Sequence, residues 1–254
     1  MLFRSVGGFD AHQLQLNARH DSYSDFGDAD TALAAYGYRL GSNLTAIAQV
    51  SNAYKAPSFN DLYFPFFGNP NLKPERARSV EFGLQYTNRK DYFRASLFRT
   101  RTRDLIVFDP SNSAANNVDR ARVTGLELTG GTTLSGWEVS TNLTLQRALD
   151  EKTDQALLRR AHRNFSIEVA KRFGSWRLGA VVQAAGARYD LDITTFQRIR
   201  LPGYTLTNFR ASYALDSHAT IGVALTNAFD RRYSLIDGYN TAGRVATLSI
   251  AANF

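Results

Sequence analysis

Residues Trp137-Glu138-Val139-Ser140-Thr141-Asn142-Leu143-Thr144-Leu145-Gln146 change character at every step. Trp137, Val139, Thr141, Leu143 and Leu145 fall on one side, and Glu138, Ser140, Asn142, Thr144 and Gln146 on the other. Successive side chains of a β-strand point to opposite faces, whereas a helical stripe repeats every 3.6 residues. The stretch therefore predicts a strand with one oily and one wet face. The same period runs through Val80, Phe82, Leu84 and Tyr86, through Phe165, Ile167 and Val169, and through Ala246, Leu248, Ile250, Ala252 and Phe254. Weaker copies begin at Leu14, Ala34, Leu44, Phe93, Leu126, Leu178, Thr205 and Ile221. About twelve strands follow, each near the roughly ten residues that cross a bilayer at a tilt. No segment carries a convincing helical period.

The connections alternate in length. Short turns fall at Gly41-Ser42, Asn88-Arg89-Lys90, Ser135-Gly136, Gly174-Ser175 and Asp216-Ser217. Long loops fall at 21–30, 55–75, 108–118, 150–160, 189–202 and 230–242. Short turns on one side and long loops on the other are the signature of an outer-membrane barrel, and a soluble sandwich gives no reason for it. The reading is an all-β, antiparallel transmembrane β-barrel segment occupying residues 1–254. Its apolar face meets lipid and its polar face lines a wet lumen, because in hydrocarbon the backbone pairs only strand to strand.

Composition agrees. Hydrophobic residues make up 44% of the chain, yet mean hydropathy is −0.30, so oily residues are diluted throughout. No run approaches the roughly 20 apolar residues of a spanning helix. The 12% aromatic content suits interfacial girdles. There is no cysteine, which excludes a disulfide scaffold and Cys-based zinc or nucleophile chemistry. The net charge of +7 raises nucleic acid as a partner. The basic residues read as scattered through loops and lumen, with no single patch collecting them, so no nucleic-acid partner is expected. His12, His20, His162 and His218 lack metal-ligand spacing. No metal, cofactor or catalytic residue is expected, and no G-x-S-x-G or phosphate loop occurs.

Three stretches resemble TonB-dependent outer-membrane receptors. The first is Ala18-Arg19-His20-Asp21-Ser22-Tyr23-Ser24-Asp25-Phe26-Gly27 with Thr31. The second runs from Asn52-Ala53-Tyr54-Lys55-Ala56-Pro57-Ser58 through Leu62-Tyr63 to Gly68-Asn69-Pro70-Asn71-Leu72-Lys73-Pro74-Glu75 and Glu81. The third, Gly238-Tyr239-Asn240-Thr241-Ala242-Gly243-Arg244, is similar to the final loop of cobalamin receptors. The resemblance covers nearly the whole chain. It implies a receptor of about 22 strands whose lumen is filled by an N-terminal plug that contacts TonB. About twelve strands would be the last half. Met1 to Gly8 has no charged-then-apolar pattern of a signal peptide, so the chain is expected to be a piece of a longer protein.

The resemblance also implies location and partners: the Gram-negative outer membrane, its lipid and lipopolysaccharide, the barrel assembly machinery, TonB through the plug-bearing part, and a scarce nutrient. Cobalamin is the first expectation for that nutrient, on the final loop alone, with an iron–siderophore or haem next. Phe254, an aromatic terminus in phase with its strand, resembles the assembly signal of such barrels.

Site candidates lie in loops. Tyr63, Phe64, Phe66 and Phe67 cluster in the longest one, where aromatics can pack on a large ligand; loop-core packing is the alternative. Tyr189 and Tyr239 are further ligand candidates. Asp190, Asp192 and Asp237 are weaker ones. Asp190 and Asp192 raise a cation site, but two carboxylates fall short of the six to eight oxygens of calcium, and a solvated loop is the expectation. Pro57, Asn69, Pro70, Pro74, Glu75, Gly243 and Arg244 are read as loop-shaping. Proline ends ladder pairing at a strand exit and forces extended or turned backbone. Glu75 and Glu81 have Arg76, Arg78 or a lumen arginine as candidate partners. Two rivals belong to other classes. An outer-membrane phospholipase would need a Ser-His pair, and His162 with Ser166 sit four apart on one strand face, too far for a direct hydrogen bond. A passive pore is the other.

Overall fold

The computed structural model describes residues 2–109 and 112–252, and for residues 2–6, 9, 118 and 119 it describes the backbone. Phe254, the expected assembly signal, lies outside the described residues. The strands are β1 (Leu2–Phe9), β2 (His12–Tyr23), β3 (Gly27–Arg39), β4 (Leu44–Lys55), β5 (Glu75–Thr87), β6 (Tyr92–Asp109), β7 (Ala114–Leu134), β8 (Trp137–Asp150), β9 (Arg163–Phe173), β10 (Trp176–Ala185), β11 (Arg188–Leu191), β12 (Arg198–Leu201), β13 (Tyr204–Ala214), β14 (Ala219–Thr226) and β15 (Val245–Ala252). One short helix, α1 (Phe59–Tyr63), lies between β4 and β5. Thirteen strands form one sheet in chain order, with β10 pairing directly to β13; β11 and β12 form a separate hairpin.

The chain divides into two compact units. The first comprises Met1–Tyr86, Ala95–Leu126 and Gln146–Leu157; the second comprises Thr87–Arg94, Glu127–Leu145 and Leu158–Phe254. In the first unit, antiparallel register lines up Leu16, Ala34, Val50 and Val80 across β2 to β5, and the adjacent row is Gln15, Ala35, Gln49 and Glu81. One residue of chain therefore separates an oily row from a polar one. In the second unit, Val139, Val169, Ala180, Phe209, Leu225 and Ala246 form an apolar row across six strands. The adjacent polar-side row is Glu138, Ala170, Gly179, Arg210, Ala224 and Thr247.

The apolar rows are largely uncovered. Leu16, Val50, Val80, Phe82, Leu84, Leu97, Phe209, Val223, Leu248 and Ile250 are all exposed, whereas the buried apolar residues are mostly alanines. A water-soluble sheet protein buries such rows in a core and rarely exposes a patch of this extent. A face this oily, on a sheet whose inner strands each pair with two neighbours, fits hydrocarbon. Aromatics crowd the short-turn ends. In the first unit His12 Nδ1 lies 2.6 Å from the Tyr36 hydroxyl and its ring 5.1 Å from that of Tyr38, and Tyr86 is exposed near the end of β5. In the second, the Trp137 and Phe173 rings meet edge-on at 6.1 Å, Trp176 and Tyr213 lie 4.8 Å apart, and the Lys171 ammonium sits 5.0 Å from the Trp137 ring. Amphipathic rings belong at the headgroup level.

Three expectations need correction. Residues 21–30 are a tight hairpin rather than a long loop, since β2 runs to Tyr23 and β3 starts at Gly27, and within 108–118 the strands β6 and β7 reach to Asp109 and from Ala114. With 18 and 21 residues, β6 and β7 exceed the roughly ten needed to cross a bilayer. Towards its end β6 is apolar at every step, Leu105-Ile106-Val107-Phe108, with Ile106 and Phe108 packed under the β4–β5 connection, so the alternation disappears although the ladder continues. Leu2–Phe9 is also a strand, and residues 189–202 carry the β11–β12 hairpin. Finally, Phe59–Tyr63 is helical. Ser58 accepts a hydrogen bond from the Asp61 N–H, and the Asp61 carboxylate accepts from the Ser58 N–H. That reciprocal cap fixes one turn too short to show a period.

Candidate functional site

In the first unit the long β4–β5 connection is an organised structure. Leu62, Leu72 and Ala115 form a small buried core, with Phe26, Phe67 and Ile106 packed against it. Pro57 is buried at the exit of β4, Pro74 is half-buried and Pro70 is exposed. Asn69 is the hub. Its side-chain amide donates to the Ala115 carbonyl at 2.9 Å, and its oxygen accepts from the Asn71 N–H at 3.0 Å. The Ala115 N–H in turn donates to the Phe67 carbonyl. Asn117 works the other end: its oxygen accepts from the Lys73 N–H, and its amide donates to the Lys73 and Asp104 carbonyls. Gly68 is required here, because a Cβ would lie 2.6 Å from the Phe64 nitrogen and 2.7 Å from the Leu62 oxygen. Glu75 accepts from Lys55 Nζ at 3.0 Å and from the Ile106 N–H at 3.2 Å. The arginine partners expected for Glu75 are thus replaced by Lys55, its register partner across β4 and β5.

On this base the four aromatics divide. Phe67 is packed inward, 5.2 Å from the Phe64 ring and 6.2 Å from Phe108. Tyr63 is 62% exposed, Phe64 50% and Phe66 fully exposed. Phe66 also has a positive φ of 72°, a conformation unfavourable for a bulky residue unless its surroundings impose it.

In the second unit the loops converge on Asp190, which is fully buried. One carboxylate oxygen accepts from Arg159 Nε at 2.8 Å and from the Leu191 N–H at 2.9 Å; the other accepts from the Asp237 N–H at 2.8 Å. Asp237 in turn accepts from the Ile193 N–H at 3.0 Å. Arg159, the β11–β12 hairpin and Asp237 are so tied through one carboxylate. The expected solvated loop is wrong for Asp190: donors from two other loops dehydrate and satisfy it. Nothing in local sequence marks it, since those donors lie 31 and 47 residues away. Asp192 does lie in a turn. The Thr195 and Thr194 N–H groups and the Thr195 hydroxyl hold its carboxyl below the ordinary range.

Tyr189 carries the Arg198 guanidinium over its ring at 4.3 Å, and Tyr239 is 64% exposed. The segment that resembles a cobalamin-receptor loop is engaged in its own architecture. Gly238 has φ of +75° and a Cβ there would strike Ile193. The Thr241 hydroxyl donates to the Tyr233 carbonyl, and the Arg244 N–H donates to Asp230. A Cβ on Gly243 would lie 2.7 Å from the same Asp230 oxygen. Asn227, which the sequence did not single out, is buried and braces residues 231 and 242 through its side-chain amide.

The comparisons place this architecture. Residues 7–228 match the sequence pattern of the family described as TonB dependent receptor-like, beta-barrel. The fold is similar to that of "Copper transporter OprC", with a TM-score of 0.81 and 19% identity over 97% of this chain and 45% of that one. It is similar to the ferric enterobactin receptor PfeA from Pseudomonas aeruginosa, in complex with enterobactin, with a TM-score of 0.80 and 22% identity over 100% of this chain and 45% of that one. It is similar also to the siderophore receptor PirA from Acinetobacter baumannii, with a TM-score of 0.78 and 18% identity over 97% of this chain and 44% of that one. The chain thus spans less than half the length of these structures. Identities this low speak for the fold; the family match speaks for membership. Members are receptors and transporters of the Gram-negative outer membrane rather than enzymes, which removes the phospholipase reading. This chain belongs to the TonB dependent receptor-like β-barrel family.

Proposed function

We propose that the whole receptor captures a ferric siderophore at its long-loop side and admits it when TonB pulls on the plug. The protein supplies affinity and a gate, so the mechanism is conformational: ligand binding favours one state of the receptor over another. The observation that carries the ligand class is the exposed set Tyr63, Phe64 and Phe66 above a packed loop base braced by Asn69 and Asn117. Rings held out into water by rigid backbone bind flat aromatic groups with little ordering cost. The net charge of +7 favours an anionic chelate over a neutral one. Ferric catecholates combine both properties.

Cobalamin is the second reading, and the Gly238–Arg244 segment favours it. Titration calorimetry on the receptor purified from outer membranes separates the two. A ferric catecholate should bind, and changing Tyr63, Phe64 and Phe66 together to alanine should weaken it by at least about tenfold, one hot-spot increment. Cobalamin binding without catecholate binding would replace the first reading by the second. A steady open conductance in planar bilayers, with no ligand bound, would favour a passive pore instead.

A further inference from the structure

Arg188 opens β11 and is buried, with 8% exposure. Its Nε and Nη2 atoms are sealed from solvent and, among the described residues, meet no acceptor. The guanidinium carbon sits 5.2 Å from the centre of the Tyr204 ring, which in turn lies 4.4 Å from the Tyr233 ring. Across the hairpin, the register partner of Arg188 is buried Leu201. Asp190 follows two residues later on the same face of β11. Its oxygens, however, are taken by Arg159 Nε and by the Leu191 and Asp237 N–H groups. A guanidinium cannot shed its charge by losing a proton. Left buried without a counter-charge, it is among the costliest groups a protein can hold.

We infer that Arg188 holds the carboxylate of a small organic acid. The identity of the orphaned atoms is the first argument. Nε and Nη2 form one edge of the planar guanidinium, and two parallel N–H groups along an edge match the two oxygens of a carboxylate. Charge is the second. Water would satisfy the donors but leave the cation uncompensated, whereas one carboxylate does both. A phosphate would bring further oxygens and further charge to a place with two orphaned donors and with Tyr204 and Leu201 beside them. Approach is the third. Tyr204 also lines a depression of about 260 Å³ with Asn142, Asn164, Ser166 and Gln183. Asn142, Ser166 and Gln183 stand side by side in the register of β8, β9 and β10, in phase with Glu138, Ala170 and Gly179 of the polar face. The acid therefore arrives from the polar side of the sheet. The site belongs to the second unit, whereas Tyr63, Phe64 and Phe66 belong to the first.

The test is fluorine NMR of trifluoroacetate titrated with the whole receptor in non-ionic detergent. Its line should broaden saturably. Formate should reverse the broadening, and chloride or inorganic phosphate at the same concentration should not. Arg188→Gln should weaken trifluoroacetate binding at least about tenfold, the loss expected for hydrogen bonds between charged groups. Two controls should leave it unchanged: Arg210→Gln on the polar face, and Tyr63, Phe64 and Phe66 changed together to alanine. No saturable broadening, equal affinity in Arg188→Gln, loss of binding in either control, or equal displacement by chloride or phosphate would each overturn the inference. Should Arg188→Gln fail to fold, Arg188→Lys decides, because it keeps the charge and loses the planar fork. Trifluoroacetate should again bind at least about tenfold more weakly, and unchanged affinity overturns the inference. Ferric catecholate binding is titrated separately, so the failure of either reading leaves the other standing.

Discussion

Asp190→Asn is the sharpest perturbation of the loop assembly. The carboxylate accepts from Arg159, from the Leu191 N–H and from the Asp237 N–H, all within 2.9 Å, at a position with no solvent exposure. An asparagine has the same shape but one acceptor oxygen. If that oxygen keeps Arg159 and Leu191, its NH₂ group faces the Asp237 N–H, donor against donor. One hydrogen bond to a charged group is lost, worth about 1.5–3 kcal/mol, and the remaining ones weaken. The Arg159 side chain is half-exposed, so its part is weighted at the low end. A local cost of about 2 kcal/mol follows, roughly a 30-fold rise in loop opening. Hydrogen exchange reads it directly. The Asp237 and Leu191 amides should exchange about 30-fold faster. Amides inside the β10–β13 ladder, such as Val181, should not change, since no strand hydrogen bond is touched. A change under about threefold at Asp237, or a uniform acceleration through β10 and β13, would refute the role given to Asp190.

Two further outcomes follow from the loops. Gly68→Ala forces a Cβ against the Phe64 nitrogen and Leu62 oxygen; backbone cannot yield as a side chain does, so the loop should lose about 1–3 kcal/mol, seen as faster protease cleavage within 55–75 while the strands stay protected. The Asp192 carboxyl is held below its ordinary range by the Thr195 and Thr194 N–H groups. A depressed folded pKa means the turn is fully stabilised above the ordinary aspartate value near 3.9 and loses that stabilisation as pH falls through the lower folded value. Protection factors at Thr194 and Thr195 should therefore hold from neutral pH down to about 4 and fall only below it; a decline already at about pH 6 would contradict the assignment.

The membrane-crossing part of the fold was legible because each layer writes itself into consecutive residues. Val80 to Tyr86 and Trp137 to Leu145 alternate because lipid and lumen alternate around them. Legibility ends where the oil ends. The upper reach of β6 stops alternating, because Leu105-Ile106-Val107-Phe108 is apolar throughout and packs under the β4–β5 connection, so 108–118 reads as a loop though the backbone ladder runs on to Asp109 and resumes at Ala114. Local turn chemistry was half visible: Pro57, Asn69 and Pro74 announce a shaped loop, but the partners of Asn69 on β7 lie 46 and 47 residues away. Asp190 was misread for the same reason. Its burial is decided by Arg159 and Asp237, which nothing near it in sequence betrays.

The claim beneath all of this is that adjacent residues of one strand sit in different solvents. The chain has no cysteine, so single cysteines placed one at a time from Val80 to Tyr86 can carry a nitroxide label in the membrane-embedded receptor. Electron paramagnetic resonance with oxygen, which concentrates in lipid, and with a water-soluble nickel reagent reports the surroundings of each label. Labels at 80, 82, 84 and 86 should collide with oxygen, those at 81, 83 and 85 should not, and the nickel reagent should never favour the even set. Equal accessibility at odd and even positions, or nickel collisions strongest at Phe82 and Leu84, would contradict it.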